Sequence, residues 1–146
     1  MKTETLRPKR KYWIKVGLLC TGISILAIVY IFQRVNVAAM LGNFHPNVIF
    51  AVNRTIRLIL NDLACFLIIL AVFEEGKYLK IAFWVFLIEL LVLLPIYLIV
   101  KLTIEGDSEI SSPLLSQVHR LIVNPMMMIL LMVGFFYQRH VRRAAV

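Results

Sequence analysis

Four long runs of apolar residues, separated by short polar segments, dominate the chain. Each run approaches the ~20 apolar residues that an α-helix needs to cross the hydrocarbon core of a bilayer. Since no water can satisfy the backbone there, each run is expected to be helical. The pattern predicts an all-α polytopic membrane protein with a four-helix transmembrane bundle over residues 16–138. Its helices are expected at about 16–33, 54–73, 80–101 and 118–138.

The polar segments are expected to form tails and loops. Residues 1–15 and 139–146 form basic tails at the two ends. No A-x-A-like cleavage site follows the first run and further runs come after it, which favours a retained anchor over a signal peptide. The mixed segment 33–55 contains His45-Pro46 and is predicted to be a loop with an interfacial portion.

Composition supports a membrane location and argues against a soluble domain. The 146 residues are 61% hydrophobic, with a mean hydropathy of +0.86. A net charge of +8 would suggest a nucleic-acid partner in a soluble protein. Here the basic residues gather at the ends of apolar runs, and no basic domain with interleaved aromatic residues is present. We therefore expect contact with membrane lipids and no nucleic-acid partner.

The distribution of basic residues predicts the orientation. The first tail carries six Lys and Arg residues, the 74–80 turn two and the last tail three, against five on the opposite side. The positive-inside rule therefore places both termini in the cytoplasm. The acidic loop with Glu105, Asp107 and Glu109 then faces outward.

Polar side chains inside the apolar runs are the strongest indication of a site. Asn53, Arg57 and Asn61 recur every four residues, so they share one helix face. Their half of the second helix and the first turns of the fourth helix, which carry His119, are both predicted to lie near the outer leaflet. The candidate partner- or anion-binding residues are Asn53, Arg54, Arg57, Asn61, Arg120 and Asn124.

Two acidic residues, Asp62 and Glu89, are also predicted to lie within the membrane. At 1.5 Å per residue their distances from the cytoplasmic helix ends are about 16 and 12 Å, which are comparable depths. Asp62 can pair with an arginine, or either acid can remain protonated in so dry a place. Ionisable residues at this depth often mark a functional site.

Several interpretations of the polar residues remain open. They can hold helices together, dock a partner membrane protein, or bind an anionic lipid or phosphate headgroup. Catalysis is disfavoured because Cys65 lacks a nearby base and no GxSxG, HExxH or Walker-type motif occurs. Cys20 and Cys65 form no CxxC pair and no metal-ligand cluster, so we expect no metal, no cofactor and no catalytic residues.

Three segments resemble the family of small membrane proteins associated with exosortase F in Bacteroidetes-type bacteria. They are NRTIRLILN at 53–61, FEEGKYLKIAF at 73–83 and HRLIVNPMMMILLMVGFFYQR at 119–139. The family's Asn-x-x-x-Arg-x-x-x-Asn-like stripe is matched by Asn53, Arg57 and Asn61, and its last helix by an Arg-to-Pro start and an aromatic-Tyr-Gln finish. The resemblance covers roughly residues 50–140. It departs at Asn124, where the family has Gln.

The resemblance implies a partner rather than a reaction. Exosortases are polytopic transpeptidase-like enzymes that process sorting tails of exported proteins, and this chain is similar to their accessory neighbour. We therefore expect a non-enzymatic accessory protein of a sorting and export system in the bacterial inner membrane. The alternatives are a small proton-coupled transporter subunit built around Asp62 and Glu89, a lipid-headgroup-binding protein and a lipid-modifying enzyme.

Overall fold

The computed structural model describes residues 6–73, 75–106 and 110–144, and all regular structure within these ranges is helical. Asp107 and Glu109 of the predicted acidic loop lie outside the described residues, as do parts of both predicted tails. The elements are α1 (Leu6–Ile31), α2 (Val37–Leu41), α3 (Pro46–Val72), α4 (Gly76–Ile88), a π-helical turn (Glu89–Leu93), α5 (Leu94–Ile104), α6 (Pro113–Val123) and α7 (Met126–Ala144).

Three helical segments are long and apolar enough to cross a membrane. They are Lys11–Ile31, Pro46–Val72 and the continuous stretch Gly76–Ile104, which joins α4, the π-helical turn and α5. A fourth span exists if α6 and α7, which meet at a bend of 61°, are counted together. The structure therefore agrees with the predicted all-helical class and contains three to four candidate membrane spans. The fourth apolar run, expected as one helix at 118–138, is divided in two.

The helices extend beyond the apolar runs that predicted them. α1 begins at Leu6, inside the predicted basic tail, and α3 begins at Pro46, inside the predicted loop. A proline in the first helical turn lacks only an N–H that has no intrahelical partner there. The His45 Nδ1 atom accepts a hydrogen bond from the Asn47 N–H at 3.3 Å, which caps the new end. His45-Pro46 is thus a helix start rather than a loop.

Two prolines have different effects on their helices. Pro95 follows the π-helical turn, where the Leu94 N–H bonds the Glu89 carbonyl, and the span continues through it. A wider turn gives the proline ring room and loses few hydrogen bonds. Before Pro125, by contrast, Asn124 adopts an extended backbone (φ −86°, ψ 156°), as a residue before proline prefers. That conformation ends α6.

Close packing between α1 and α3 depends on Gly22. A Cβ atom at this position would lie 2.8 Å from the Ala64 carbonyl oxygen and 2.8 Å from Ile68 Cγ1. The missing side chain therefore lets the two backbones approach, as small residues do between membrane helices.

Two apolar clusters pack the remaining helices, while many large apolar side chains remain exposed, as expected of a lipid-facing surface. One cluster lies between α3, α4 and α7, and its buried residues are Cys65, Ile69, Phe73, Tyr78, Ala82, Met128 and Phe135. The other lies between α3, α5 and α6, and its buried residues are Leu58, Leu94, Tyr97, Leu115, Ile122 and Val123.

Candidate functional site

Two polar cavities share Arg57, which lies about three turns into α3. The asparagine cavity, of about 280 Å³, lies between α1, α3 and the break between α6 and α7. The arginine cavity, of about 720 Å³, lies between the α1–α2 connection and the first half of α3. The residues that line the asparagine cavity are Leu26, Val29, Tyr30, Gln33, Arg57, Asn61, Asn124 and Pro125. The residues that line the arginine cavity are Gln33, Arg34, Val35, Asn36, Pro46, Ile49, Phe50, Asn53, Arg54 and Arg57.

Asn61 joins α3 to the break in the last span. Its Nδ2 atom donates a hydrogen bond of 3.0 Å to the carbonyl oxygen of Val123, and both residues are buried. Where a helix is interrupted in an apolar environment, the freed backbone groups need partners from neighbouring side chains. Asn61 supplies one, so its buried amide has a structural role as well as a place in the asparagine cavity.

Asn53 is also engaged by the fold. Its Oδ1 atom accepts a hydrogen bond from the Ala38 N–H at 3.0 Å, and its Nδ2 atom donates to Oδ1 of Asn36. Asn53 therefore provides a hydrogen-bond partner for a backbone N–H in the first turn of α2 and fixes the connection between α1 and α3. This short helix was not predicted from the sequence, so the role of Asn53 was missed.

The arginines of the arginine cavity have no acidic partner among the described residues. Arg34, Arg54 and Arg57 line this cavity, and no carboxylate lies among its lining side chains. Within the described part of the chain, none of the three forms an ion pair. Arg54 and Arg57 lie close enough for their charges to repel each other. The cavity is therefore a region of concentrated positive charge.

Aromatic and basic side chains pack beside Arg54. The Arg54 guanidinium lies 4.8 Å from the Phe50 ring centroid, and Lys101 Nζ lies 4.7 Å from the same centroid. Lys101 is fully buried and donates a hydrogen bond of 2.7 Å to the Gly106 carbonyl. The Arg54 Nε atom is buried without a hydrogen-bond partner among the described residues. Sequence reasoning missed Lys101, which lies in the last turn of α5 at the end of the third apolar run.

Arg120 lies outside both cavities. The buried residues of α6 are Leu115, Ile122 and Val123, whereas Arg120 is exposed. Its neighbour His119 turns inward, and its Nδ1 atom is 2.9 Å from the hydroxyl of buried Tyr97. Arg120 therefore does not join the α3 stripe in lining either cavity, and its role in binding a partner or an anion stays a prediction. Of the two predicted residues on the last span, Asn124 alone lines a cavity with Arg57.

Asp62 and Glu89 are both buried and lie close enough together for their carboxyl groups to interact. The π-helical turn begins at Glu89, and Asp62 faces it from α3. The Asp62 Oδ2 and Glu89 Oε2 atoms have no hydrogen-bond partner among the described residues. Asp62 thus meets the other acid rather than an arginine.

Nothing in the described part of the chain assembles a metal centre. No group of three or more His, Cys, Asp or Glu side chains is placed there to hold a metal ion. Cys65 is buried close to Asp62 and Glu89.

A carboxylate organises the start of α6. The Oε1 atom of Glu105 accepts hydrogen bonds from the Ser112 N–H at 2.9 Å, the Ser111 hydroxyl at 2.9 Å and the Ser111 N–H at 3.2 Å. These donors, the Ser112 N–H foremost, lower the pKa of the Glu105 carboxyl. The negative charge also suits the amino end of a helix.

The fold and the site together define the class of the chain, an all-helical protein with several potential membrane spans and a cationic cavity at one end. No protein-family model, no curated protein and no solved structure matches the chain.

Proposed function

We propose that the chain is a non-enzymatic accessory protein of the bacterial inner membrane that docks a membrane-protein partner at the asparagine cavity. In this proposal it forms a four-span bundle with both termini in the cytoplasm. One observation carries the docking role. The Arg57 guanidinium and the Asn61 and Asn124 side chains converge on one cavity that no carboxylate lines.

The chemistry of the cavity favours a polar group from a partner helix. Its volume of about 280 Å³ suits a few side chains rather than a large ligand. Guanidinium and amide groups offer several N–H donors, which a carboxylate or a free backbone carbonyl can accept. Polar groups within apolar surroundings hold membrane helices together by such bonds. The sequence resemblance suggests that the partner is an exosortase-type enzyme.

Copurification tests this proposal. The chain is expressed with an affinity tag beside an exosortase-type enzyme, and recovery of the enzyme is measured in mild detergent. Arg57→Ala and Asn124→Ala are expected to lower recovery several-fold, because each removes a donor group from the cavity. Arg120→Ala is the matched control, since Arg120 is exposed and lines neither cavity. Equal recovery with all three variants would contradict docking at this cavity.

A second candidate function is a proton-coupled carrier subunit. The buried carboxyl pair of Asp62 and Glu89 supports it, because intramembrane acids commonly relay protons. This function predicts that vesicles containing the protein show proton flux on addition of a transported substrate, and that Glu89→Gln abolishes the flux. If vesicles with wild type and vesicles with Glu89→Gln both show the same proton flux as empty vesicles, the carrier hypothesis is wrong.

A further inference from the structure

The arginine cavity has the features of an anion site that the docking role leaves unused. We propose that it binds a phosphate group, supplied either by an anionic lipid headgroup or by free phosphate. The cavity adjoins the asparagine cavity and shares Arg57 with it, but Arg34 and Arg54 line the arginine cavity alone. The two roles can therefore be separated by mutation.

Uncompensated charge is the first support for this proposal. Three guanidinium groups line the cavity, and neither a carboxylate nor an ion pair neutralises them among the described residues. His119, on the neighbouring α6, lies within the fields of both Arg54 and Arg57, which are positive. Such a cluster repels itself unless an anion binds to it.

The number and type of donors favour phosphate over a carboxylate. Each guanidinium presents a planar set of N–H groups that pairs with two oxygens at once. Arg34, Arg54 and Arg57 together offer more donors than two carboxylate oxygens accept, whereas a phosphate offers further oxygens. The Arg54 Nε atom is buried without a partner among the described residues, which leaves one donor to be satisfied.

The position and the size of the cavity agree with a headgroup. It lies where α1 ends and α3 begins, the level at which the predicted spans meet the headgroup region. Its volume of about 720 Å³ is within the range of ~300–1,000 Å³ typical of ligand pockets. Asn53 and Asn36, which both line the cavity, are joined by a hydrogen bond, so this part of its wall is fixed by the fold.

Native mass spectrometry and thermal melting of the purified full chain in nanodiscs test the proposal. Nanodiscs of phosphatidylcholine are compared with nanodiscs that also contain phosphatidylglycerol, whose phosphate carries the only net charge. Wild type is expected to retain phosphatidylglycerol and to melt at a higher temperature in its presence. Arg34→Gln and Arg54→Gln are each expected to weaken this binding about tenfold, which corresponds to the loss of one charge-assisted contact.

Further arms identify the source of the phosphate and guard against misfolding. To test free phosphate, sodium phosphate is added to phosphatidylcholine nanodiscs and compared with sodium chloride of equal ionic strength. A higher melting temperature in sodium phosphate would show that the cavity binds free phosphate. Arg34 is exposed, so Arg34→Gln leaves packing intact, and Arg120→Gln serves as the control outside the cavity. If wild type, Arg34→Gln and Arg120→Gln respond alike to both phosphate sources, the proposal is overturned.

Asn124→Ala should lose the partner and retain phosphate, so failure of docking and failure of anion binding are distinguishable.

Discussion

At the scale of single residues, the polar side chains of α3 divide into two groups. Asn53 and Asn61 bond the backbone of other elements, at Ala38 and Val123 respectively. Arg54 and Arg57 lack acidic partners among the described residues and face cavities. The polar side chains of α3 therefore comprise asparagines that hold other elements in place and arginines that face cavities.

Asn61→Leu should destabilise the fold. Leucine is similar in size but cannot donate to the Val123 carbonyl, which would remain buried at the helix break. We expect a loss of about 1–2 kcal/mol, the scale of an interhelical hydrogen bond in a membrane protein. Unfolding by denaturing detergent measures it. Asn124→Leu is the control, because the exposed Asn124 side chain lines the same cavity; equal losses in both variants would contradict this role.

Sequence spacing predicted part of this arrangement. It placed Asn53, Arg57 and Asn61 on one face, because the helical period is fixed by the backbone. It could not show that Asn53 caps α2, since that contact depends on a chain reversal. The exposure of Arg120 could have been predicted from the sequence. The apolar residues Leu115 and Ile122 mark the buried face of α6, and Arg120 does not lie on that face.

At the scale of helices, the contact between α1 and α3 depends on one glycine. Gly22→Ala places a Cβ atom 2.8 Å from the Ala64 carbonyl oxygen, which is backbone and cannot move aside easily. We expect a loss of about 1–3 kcal/mol, as for overpacked cores, measured by thermal melting in detergent. Gly17→Ala on the same helix is the control, because nothing lies within 4 Å of its added Cβ. A Gly22→Ala melt at or above that of Gly17→Ala would contradict this packing.

The start of α6 should depend on pH through Glu105. Hydrogen bonds from Ser112 and Ser111 hold the pKa of its carboxyl below the ordinary value of about 4.3, so the folded state favours the charged form. This stabilisation is complete above that value and is lost as the pH falls through the folded pKa. Hydrogen-exchange protection of the Ser111 and Ser112 amides should therefore decline at acidic pH.

Glu105→Gln should show low protection of these two amides at every pH, because the neutral amide is a weaker acceptor. Glu75→Gln, at the other end of the bundle, should behave as wild type. Protection that is independent of pH in wild type would contradict the role of Glu105.

Element boundaries show the limit of hydropathy as a guide. The apolar runs located the helices that are long and apolar enough to cross a membrane. They missed the extension of α1 through the basic segment to Leu6 and the extension of α3 back to Pro46, because a helix continues wherever its backbone bonds are satisfied. Pro95 and Pro125 have identical backbone chemistry, and their different outcomes arise from the π-helical turn before one and the extended Asn124 before the other.

At the scale of the whole molecule, we propose a membrane bundle whose arginine cavity lies toward the end where α1 ends and α3 begins, with the asparagine cavity beside it, nearer the middle of α3. The last span is bent by 61°, and its break faces α1 and α3 at the asparagine cavity. If this end faces outward, Arg57 and Asn124 are reached from the same aqueous side. The exposed apolar surface of the helices then faces lipid.

Cysteine accessibility in right-side-out vesicles tests this shared site most directly. Arg57→Cys and Asn124→Cys are each placed in a chain carrying Cys20→Ala and Cys65→Ala, and a membrane-impermeant maleimide is applied from outside. Both positions are expected to react in intact vesicles, while Arg142→Cys in the last helix reacts only after permeabilisation. Labelling of positions 57 and 124 from opposite sides of the membrane would contradict the shared cavity and the docking role built on it.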